Sequence, residues 1–353
     1  VNNMEKFVPK FKKRLEVKQE ALKAIKLGRS SVKTTLKTRY RYLNIAMGKG
    51  FSFKKIVLIA GPSGHGKSKL LNDLLNDFNN PKINSNLGIS ATNSQPYTII
   101  TIHFCFEMLP SDEILREESS NLGVSYSNLL GLEFNGETNK YNNVDIETVE
   151  ALEEKYKVDD NPNYYYFEDT CTVPHLYACV KAVIVDYKNR EGLDDTFTDE
   201  QGVKHRPKFI VAIDHSLLLD TIGKEDVLSM MSTLGKMAIR FKKMGFLTII
   251  VGQFNGNIES TERIRNPNLH FPMKSDIYAQ AQVYNACDTV MSTYMPELIG
   301  LTSYTSENYL VSNVLNLSVI KNRGLNIGQL WFRTEFEKGR MLNISQEQMT
   351  KKG

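Results

Sequence analysis

Residues 61–68, GPSGHGKS, have the residue types and the spacing of a phosphate-binding loop. Glycines at fixed positions let the backbone curl so that successive N–H groups point at one anion. Lys67 can then reach the β- and γ-phosphates, and the Ser68 hydroxyl can ligate Mg²⁺. A Gly/Ser-rich surface turn is the alternative, but the complete G-x-x-x-x-G-K-[ST] pattern favours ATP and Mg²⁺ as ligands. The residues expected to hold the nucleotide are Gly61, Ser63, Gly64, His65, Gly66, Lys67 and Ser68.

Three further polar residues, Glu107, Asp214 and Gln253, each end an apolar stretch that is typical of a buried strand. Asp214 is placed to hold Mg²⁺ together with Ser68, and Glu107 to orient and deprotonate an attacking water. Gln253 is placed to sense the γ-phosphate. Because ligands bind at the carboxyl ends of strands in open α/β sheets, we expect these side chains to meet at the loop.

The composition of the chain indicates the class of protein that contains these residues. The chain has 353 residues, of which 41% are hydrophobic, enough for a full α/β core. No apolar stretch approaches membrane-spanning length and no secretory signal is evident, so we expect a cytoplasmic protein without membrane contact. The four cysteines are scattered without ligand spacing, which favours buried free thiols over a structural metal site.

The net charge of +4 is distributed unevenly. Residues 1–55 carry 16 Lys and Arg against 3 Asp and Glu, a net charge of +13, so the remainder sums to −9. Such a basic arm can bind nucleic acid or an acidic surface on a neighbouring subunit, and charge alone does not decide. Within 5–27 the pattern predicts an amphipathic helix. We therefore divide the chain into a basic linker helix at 1–29 and an ATPase domain at 30–353.

Hydrophobic periodicity predicts a mostly parallel central sheet flanked by helices and ending in an antiparallel hairpin. The polar stretches 79–96 and 132–144 are expected to be surface loops. The predicted strands are 55–60, 98–106, 163–168, 209–214, 246–252, 288–294, 315–322 and 328–336. The predicted helices lie near 67–78, 111–120, 145–157, 174–189, 224–243 and 275–285.

Beyond the loop, further segments resemble the RecA-like, P-loop replicative helicases of the DnaB type, in family order over about 28–345. They are IHFCFEMLPSDEILR, VAIDHSLLL, TIIVGQFN, KSDIYAQAQVYNACD, and VIKNRG followed by GQLWF. The resemblance implies a RecA-like fold and Glu107 as the general base. It also implies that Arg116 contacts the phosphates of its own subunit's ATP. Lys321 and Arg323 would act on the ATP of the neighbouring subunit, although a solvated strand end would explain them if the hairpin stood alone.

The same resemblance implies a DNA-binding loop near residue 278. Tyr278, Ala279 and Gln280 stand where an Arg-Glu-Ser run is common in the family. Basic residues just upstream could supply the missing charge. The chain also has a single basic helix where family members carry an N-terminal helical domain. The residues expected to contact DNA are Arg263, Arg265, Lys274, Tyr278 and Gln280.

The function implied is an ATP-dependent DNA helicase that forms a hexameric ring and translocates on single-stranded DNA. Primase and a helicase loader would be its possible partners. Two other functions remain open from the residues. One is a RecA-like recombination or strand-annealing ATPase that forms filaments, and the other is a regulatory ATPase that does not bind DNA.

Overall fold

The computed structural model describes residues 12–29, 33–89, 96–158, 161–191, 197–198, 204–278, 280–345 and 348–349. Its strands, numbered in chain order, are β1 (Thr35–Leu36), β2 (Phe51–Ser52), β3 (Lys55–Gly61), β4 (Tyr97–Cys105), β5 (Glu133–Asn135), β6 (Lys140–Asn142), β7 (Tyr164–Phe167), β8 (Phe197–Thr198), β9 (Lys204–Asp214), β10 (Leu247–Gln253), β11 (Thr289–Tyr294), β12 (Ser303–Tyr304), β13 (Tyr309–Leu310), β14 (Val314–Asn322), β15 (Gly328–Glu335) and β16 (Arg340–Ile344). Its α-helices are α1 (Arg14–Arg29), α2 (Arg41–Ala46), α3 (Lys67–Asn79), α4 (Pro110–Leu122), α5 (Tyr126–Leu129), α6 (Ile146–Val158), α7 (Val173–Glu191), α8 (Val227–Met244), α9 (Thr261–Arg265) and α10 (Gln280–Ala286).

One large sheet organises the described part of the chain, in the order β16-β15-β14-β11-β3-β10-β9-β4-β7. From β11 to β7 each neighbouring pair is parallel. From β11 to β16 each pair is antiparallel. The predicted α/β fold, a mostly parallel sheet with a C-terminal antiparallel hairpin, is confirmed.

The sheet is covered on both faces because its central strands are apolar throughout. Alternate residues of β3 enter different cores, as the pleat requires. Leu58 packs on the side of α7 and α8, with Leu176 and Phe241. Ile59 packs on the side of α2 and α3, with Leu43 and Leu74. Burial on both faces explains why β3 has no polar position between Ile56 and the phosphate-binding loop.

The segment around 275–285 differs from the predicted continuous helix. A single 3₁₀ turn at Lys274–Asp276 precedes the short α10. The backbone between them forms its hydrogen bonds with another element, since the N–H of Tyr278 donates to the carbonyl of Gln253 at 2.9 Å. These groups therefore hold the segment against the end of β10 and are not free to form helical hydrogen bonds.

The structure also has strands that were not predicted, among them β5, β6 and β16. The stretch predicted as a loop at 132–144 contains the hairpin β5–β6, whose turn is held by the Asn135 side chain accepting from the N–H groups of Glu137 and Thr138. Phe134 and Tyr141 pack across it with ring centroids 5.3 Å apart. β16 also extends the C-terminal hairpin to three strands.

α1 stands apart from this core. None of its 16 residues, all of them described, is buried. The predicted apolar stripe is solvent-exposed at Leu15, Leu22 and Ile25, and its fourth member, Phe11, lies outside the described residues. Among the described helices, none has both the length and the apolar character that crossing a bilayer requires.

Candidate active site

The loop at 61–68 connects the carboxyl end of β3 to the first residue of α3, as the sequence predicts. Gly64 and Gly66 have φ of 77° and 79°, a conformation that glycine adopts without strain. A Cβ on Gly66 would also lie 2.9 Å from side-chain atoms of Leu315 and Phe336. These glycines thus allow the loop to turn tightly into α3, whose N-terminal N–H groups favour an anion.

Lys67 is buried at the base of this loop. Its Nζ donates to the carbonyl oxygen of Pro62 at 2.7 Å. Burial lowers the pKa of Lys67, and the carboxylates of Glu107 and Asp214 oppose that effect. The ammonium group therefore lies near both predicted catalytic carboxylates, and a phosphate oxygen could replace the carbonyl as its acceptor.

Asp214 and Ser68 form the candidate Mg²⁺ site. The Ser68 hydroxyl is hydrogen-bonded to the Asp214 carboxylate, and burial raises the pKa of Asp214 to about 6. Asp214 Oδ1 is buried and has no hydrogen-bond partner among the described residues. A hydroxyl and a carboxylate with an unsatisfied oxygen suit Mg²⁺, which prefers hard oxygen ligands and usually keeps several waters. The residues present therefore fit the ion.

Gln253 ends β10 directly beside Gly61, its register partner on β3. The Oε1 atom of Gln253 lies 3.2 Å from Nε2 of His215, and the Nδ1 atom of His215 accepts from the N–H of Leu217 at 3.2 Å. Because Nδ1 is an acceptor, the proton lies on Nε2, which donates to Gln253. The structure thus orients the side chain predicted to sense the γ-phosphate.

A cavity of about 260 Å³ opens beside the loop and brings predicted residues together. Lys67, Ser68, Glu107 and Arg116 all line it. Glu107 follows β4 by two residues and is exposed toward this space. Arg116 lies on α4, with its guanidinium carbon 5.4 Å from the ring centroid of Tyr126. The arrangement can therefore surround a phosphate with cations and place a carboxylate near an attacking water.

Sequence reasoning missed Glu113, which also lines the cavity. It is buried on α4, and burial raises its pKa to about 8. Its Oε2 lies 3.5 Å from Nδ1 of His103. The buried Cys105 lies beside them: its Sγ, a carboxylate oxygen of Glu113 and a ring nitrogen of His103 all lie within 4.8 Å of one another. In the sequence Glu113 resembles any acidic residue at the start of a helix, so only its burial could have distinguished it.

His65 has a different role from the one expected of a loop residue. Its ring stacks on Tyr294 with centroids 5.7 Å apart, and its Nδ1 accepts from the N–H of Met295 at 2.9 Å. Burial lowers the pKa of His65 to about 4, and Lys67 adds to the effect. The neutral imidazole therefore joins the loop to the end of β11, and its backbone N–H remains the group that could face a phosphate.

Lys321 and Arg323 are not brought to the loop of their own chain. The N–H of Arg323 donates to the carbonyl of Asp288, whose own N–H donates to Ile56. Ile56 lies five residues before Gly61, so Arg323 sits near the amino end of β3, roughly 17 Å from the loop along the strands. Lys321 pairs with Val290, which pairs with Leu58, so both cations lie toward the amino ends of these strands, away from the loop at the carboxyl ends.

Arg263 is not placed to contact DNA. It is 7% exposed, and its guanidinium group donates to the Asp276 carboxylate and to the carbonyls of Leu269 and Phe271. A guanidinium with this many internal acceptors has little left to offer a phosphate. Its position therefore argues against the predicted DNA contact, because the side chain holds its own segment together.

Three of the other residues predicted to contact DNA are more accessible. Arg265, Lys274 and Tyr278 are exposed, and Gln280, the fourth, is the first residue of α10. Tyr278 is 46% exposed and follows the 3₁₀ turn that contains Lys274. This segment lies against the end of β10, so a ligand bound to it would lie close to Gln253, the predicted γ-phosphate sensor.

Comparison with solved structures finds the same fold elsewhere. A solved ATPase domain superposes with a TM-score of 0.69 at 14% identity, covering 95% of this chain and all of that one. A DnaB-like replicative helicase, whose structure was reported together with its interactions with primase, gives a TM-score of 0.66 at 14% identity. That match covers 95% of this chain and 69% of the other. No protein-family model and no curated protein matches the sequence. The chain therefore has the RecA-like fold of the ATPase domains of DnaB-like helicases.

Proposed function

We propose that the protein is an ATP-dependent DNA helicase motor that works as a closed ring, most simply of six subunits. One observation carries the proposal, namely the division of the candidate catalytic groups between two ends of the sheet. The phosphate-binding loop, Glu107, Asp214 and Gln253 lie at the carboxyl ends of the parallel strands, and Lys321 and Arg323 lie toward their amino ends. A site completed by the neighbouring copy is a heterologous contact, which closes into a ring when the rotation allows it.

Within such a site each side chain has a defined task. The loop and Lys67 bind the phosphates of ATP, and Glu107 orients the attacking water and accepts its proton. Ser68 and Asp214 would hold Mg²⁺, which supplies positive charge next to the β- and γ-phosphates. Arg323 of the neighbouring copy stabilises the charge that develops in the transition state.

Single-stranded DNA is the polymer along which the motor is proposed to translocate. The first 55 residues carry a net charge of +13, and the exposed Arg265, Lys274 and Tyr278 lie on the segment beside the sensor. Cations and an aromatic ring are the groups with which proteins hold single strands without regard to sequence. Binding should therefore be sequence-tolerant and weaken as the salt concentration rises.

A forked-duplex assay tests the proposal. The full chain with ATP and Mg²⁺ should separate a fork that has single-stranded tails, single-stranded DNA should stimulate its ATPase, and particles imaged with an ATP analogue and DNA should be closed rings. Lys67→Ala is the matched control and should unwind nothing. Open filaments without unwinding would instead indicate a recombination ATPase. An ATPase indifferent to DNA would indicate a regulatory protein, and either outcome rejects the helicase.

A further inference from the structure

Two lysines from distant parts of the chain contact one aromatic ring on α10. The Nζ of Lys274 lies 4.9 Å from the ring centroid of Tyr284, and the Nζ of Lys321 lies 4.6 Å from it. Lys321 also donates from Nζ to the carbonyl oxygen of Tyr284 at 2.7 Å. Both distances are within the range in which an ammonium group is attracted by the ring quadrupole. Tyr284 therefore helps to set where both cations stand.

The Lys274 side of this contact is tied to the candidate active site. The N–H of Tyr278 donates to the carbonyl of Gln253 at 2.9 Å. The N–H of Asn255 donates to the carbonyl of Asp276 at 2.7 Å. A movement of Gln253 on binding or loss of the γ-phosphate would therefore be transmitted through these backbone bonds to the turn that carries Lys274.

The Lys321 side leads toward the neighbouring copy. Lys321 lies on β14 with Arg323 just beyond it, and the guanidinium of Arg323 donates to the carbonyl of Asn285 at 2.8 Å. Both cations thus bond to consecutive carbonyls of α10, Tyr284 and Asn285. The position of α10 fixes where they are presented.

α10 is packed so closely against its neighbours that it cannot absorb a displacement by deforming locally. At Gly235 of α8, an added Cβ would lie 2.9 Å from the backbone oxygen of Gln282. Val283 is 2% exposed in the adjoining core. A closely packed helix moves as a unit instead of deforming locally, so α10 is suited to carry a displacement from one end to the other.

We propose that Tyr284 is a positioning residue. It couples Lys274, in the segment proposed to contact DNA, and Gln253, the proposed γ-phosphate sensor, to Lys321, the cation that the subunit offers to the next subunit's ATP. The inference rests on the proposed function. It assigns the coupling to the aromatic face, which two ammonium groups share. Because like charges near one ring repel each other, engagement of Lys274 by a DNA phosphate changes how Lys321 is held.

The test is the ratio of ATPase turnover with and without single-stranded DNA. Tyr284→Leu removes the ring and should lower that ratio at least about threefold, the scale of coupling that single residues carry. Tyr284→Phe keeps the ring face and should retain the wild-type ratio. Lys274→Met should resemble Tyr284→Leu, and the double variant should be no worse than either single variant, because both act on one contact.

The outcomes separate this inference from the function on which it rests. Wild-type protein that is not stimulated by DNA rejects the helicase itself. Stimulated wild-type protein together with an unchanged ratio in Tyr284→Leu rejects only the coupling. An equal loss of the DNA-stimulated ratio in Tyr284→Phe would also reject the coupling through the ring, because that variant keeps the ring face and loses only the hydroxyl. Thermal melting and sizing of each variant show that a lowered ratio comes from folded, assembled protein.

Discussion

His215 donates from Nε2 to the Oε1 of Gln253, across 3.2 Å, and so joins the ends of β9 and β10. With its oxygen engaged, the Gln253 amide has its nitrogen left as the donor that a γ-phosphate requires. Asp214, the last residue of β9, directly precedes His215, so the metal-site carboxylate and this donor are neighbours in the chain. One short segment therefore carries both the candidate Mg²⁺ ligand and the side chain that orients the predicted γ-phosphate sensor.

His215→Phe should lower kcat about tenfold and change KM for ATP much less, because a single positioning hydrogen bond is lost while the ring volume is kept. Steady-state ATPase assays measure both constants. Gln253→Leu should lose at least as much, and adding His215→Phe to it should cost little more. Full turnover in His215→Phe would show that the sensor is oriented by other contacts.

Glu107→Gln should bind ATP with near-normal affinity and hydrolyse it on the order of a hundred-fold or more slowly, as expected when base catalysis is lost. The amide keeps the shape of the side chain but cannot accept the proton of the attacking water. Fluorescent-nucleotide titration and phosphate release measure the two properties separately. If turnover were normal, another group in the cavity must activate the water.

Arg323→Ala should bind ATP and assemble but hydrolyse poorly, since a guanidinium from a neighbour acts mainly in the transition state. Mixed with Lys67→Ala, it should recover part of the ATPase that neither variant has alone. Some interfaces in a mixed ring pair an intact loop with an intact Arg323. Exchanged mixtures without any recovery would contradict action between subunits, and light scattering would verify that exchange had occurred.

Glu113→Gln should stabilise the protein above neutral pH. Burial raises the pKa of Glu113 to about 8 from an ordinary value of 4.5, so the wild-type free energy of unfolding falls as the pH rises between these values. The amide does not ionise, and the variant should be more stable at pH 8 by about 2–4 kcal/mol. Urea unfolding at pH 4.5 and pH 8 measures the difference, which should close at the lower pH. Glu147→Gln makes the same substitution at an exposed position and is the matched control.

Arg39→Met should destabilise the fold by about 1–3 kcal/mol, because it leaves the buried carboxylate of Asp77 without its cation. Arg39 Nε and Nη2 each lie 2.8 Å from Oδ1 of Asp77, which is fully buried on α3. The loss should shrink in acid, where Asp77 takes up a proton. Arg41→Met, at an exposed position two residues on, is the matched control. Identical unfolding midpoints for the two variants would mean that the ion pair contributes nothing.

The phosphate-binding loop could be predicted because its geometry depends on eight consecutive residues. The parallel sheet was also predictable, since strands separated by helices leave few alternatives. The burial of Glu113 could not be predicted, because it depends on how α4 packs over Asn72 and Cys105. Nor could the role of Arg263, whose carboxylate partner is thirteen residues away. In both cases a charged side chain in an ordinary helical segment gives no local sign of its tertiary partner.

The separation between the loop and Arg323 has a consequence for regulation. In the proposed ring, a solitary chain has half of a catalytic centre at each end of its sheet and a complete one at neither. Its specific activity should therefore follow mass action, falling on dilution and recovering as copies associate. The geometry alone would then restrict ATP hydrolysis to assembled molecules, without a dedicated inhibitor.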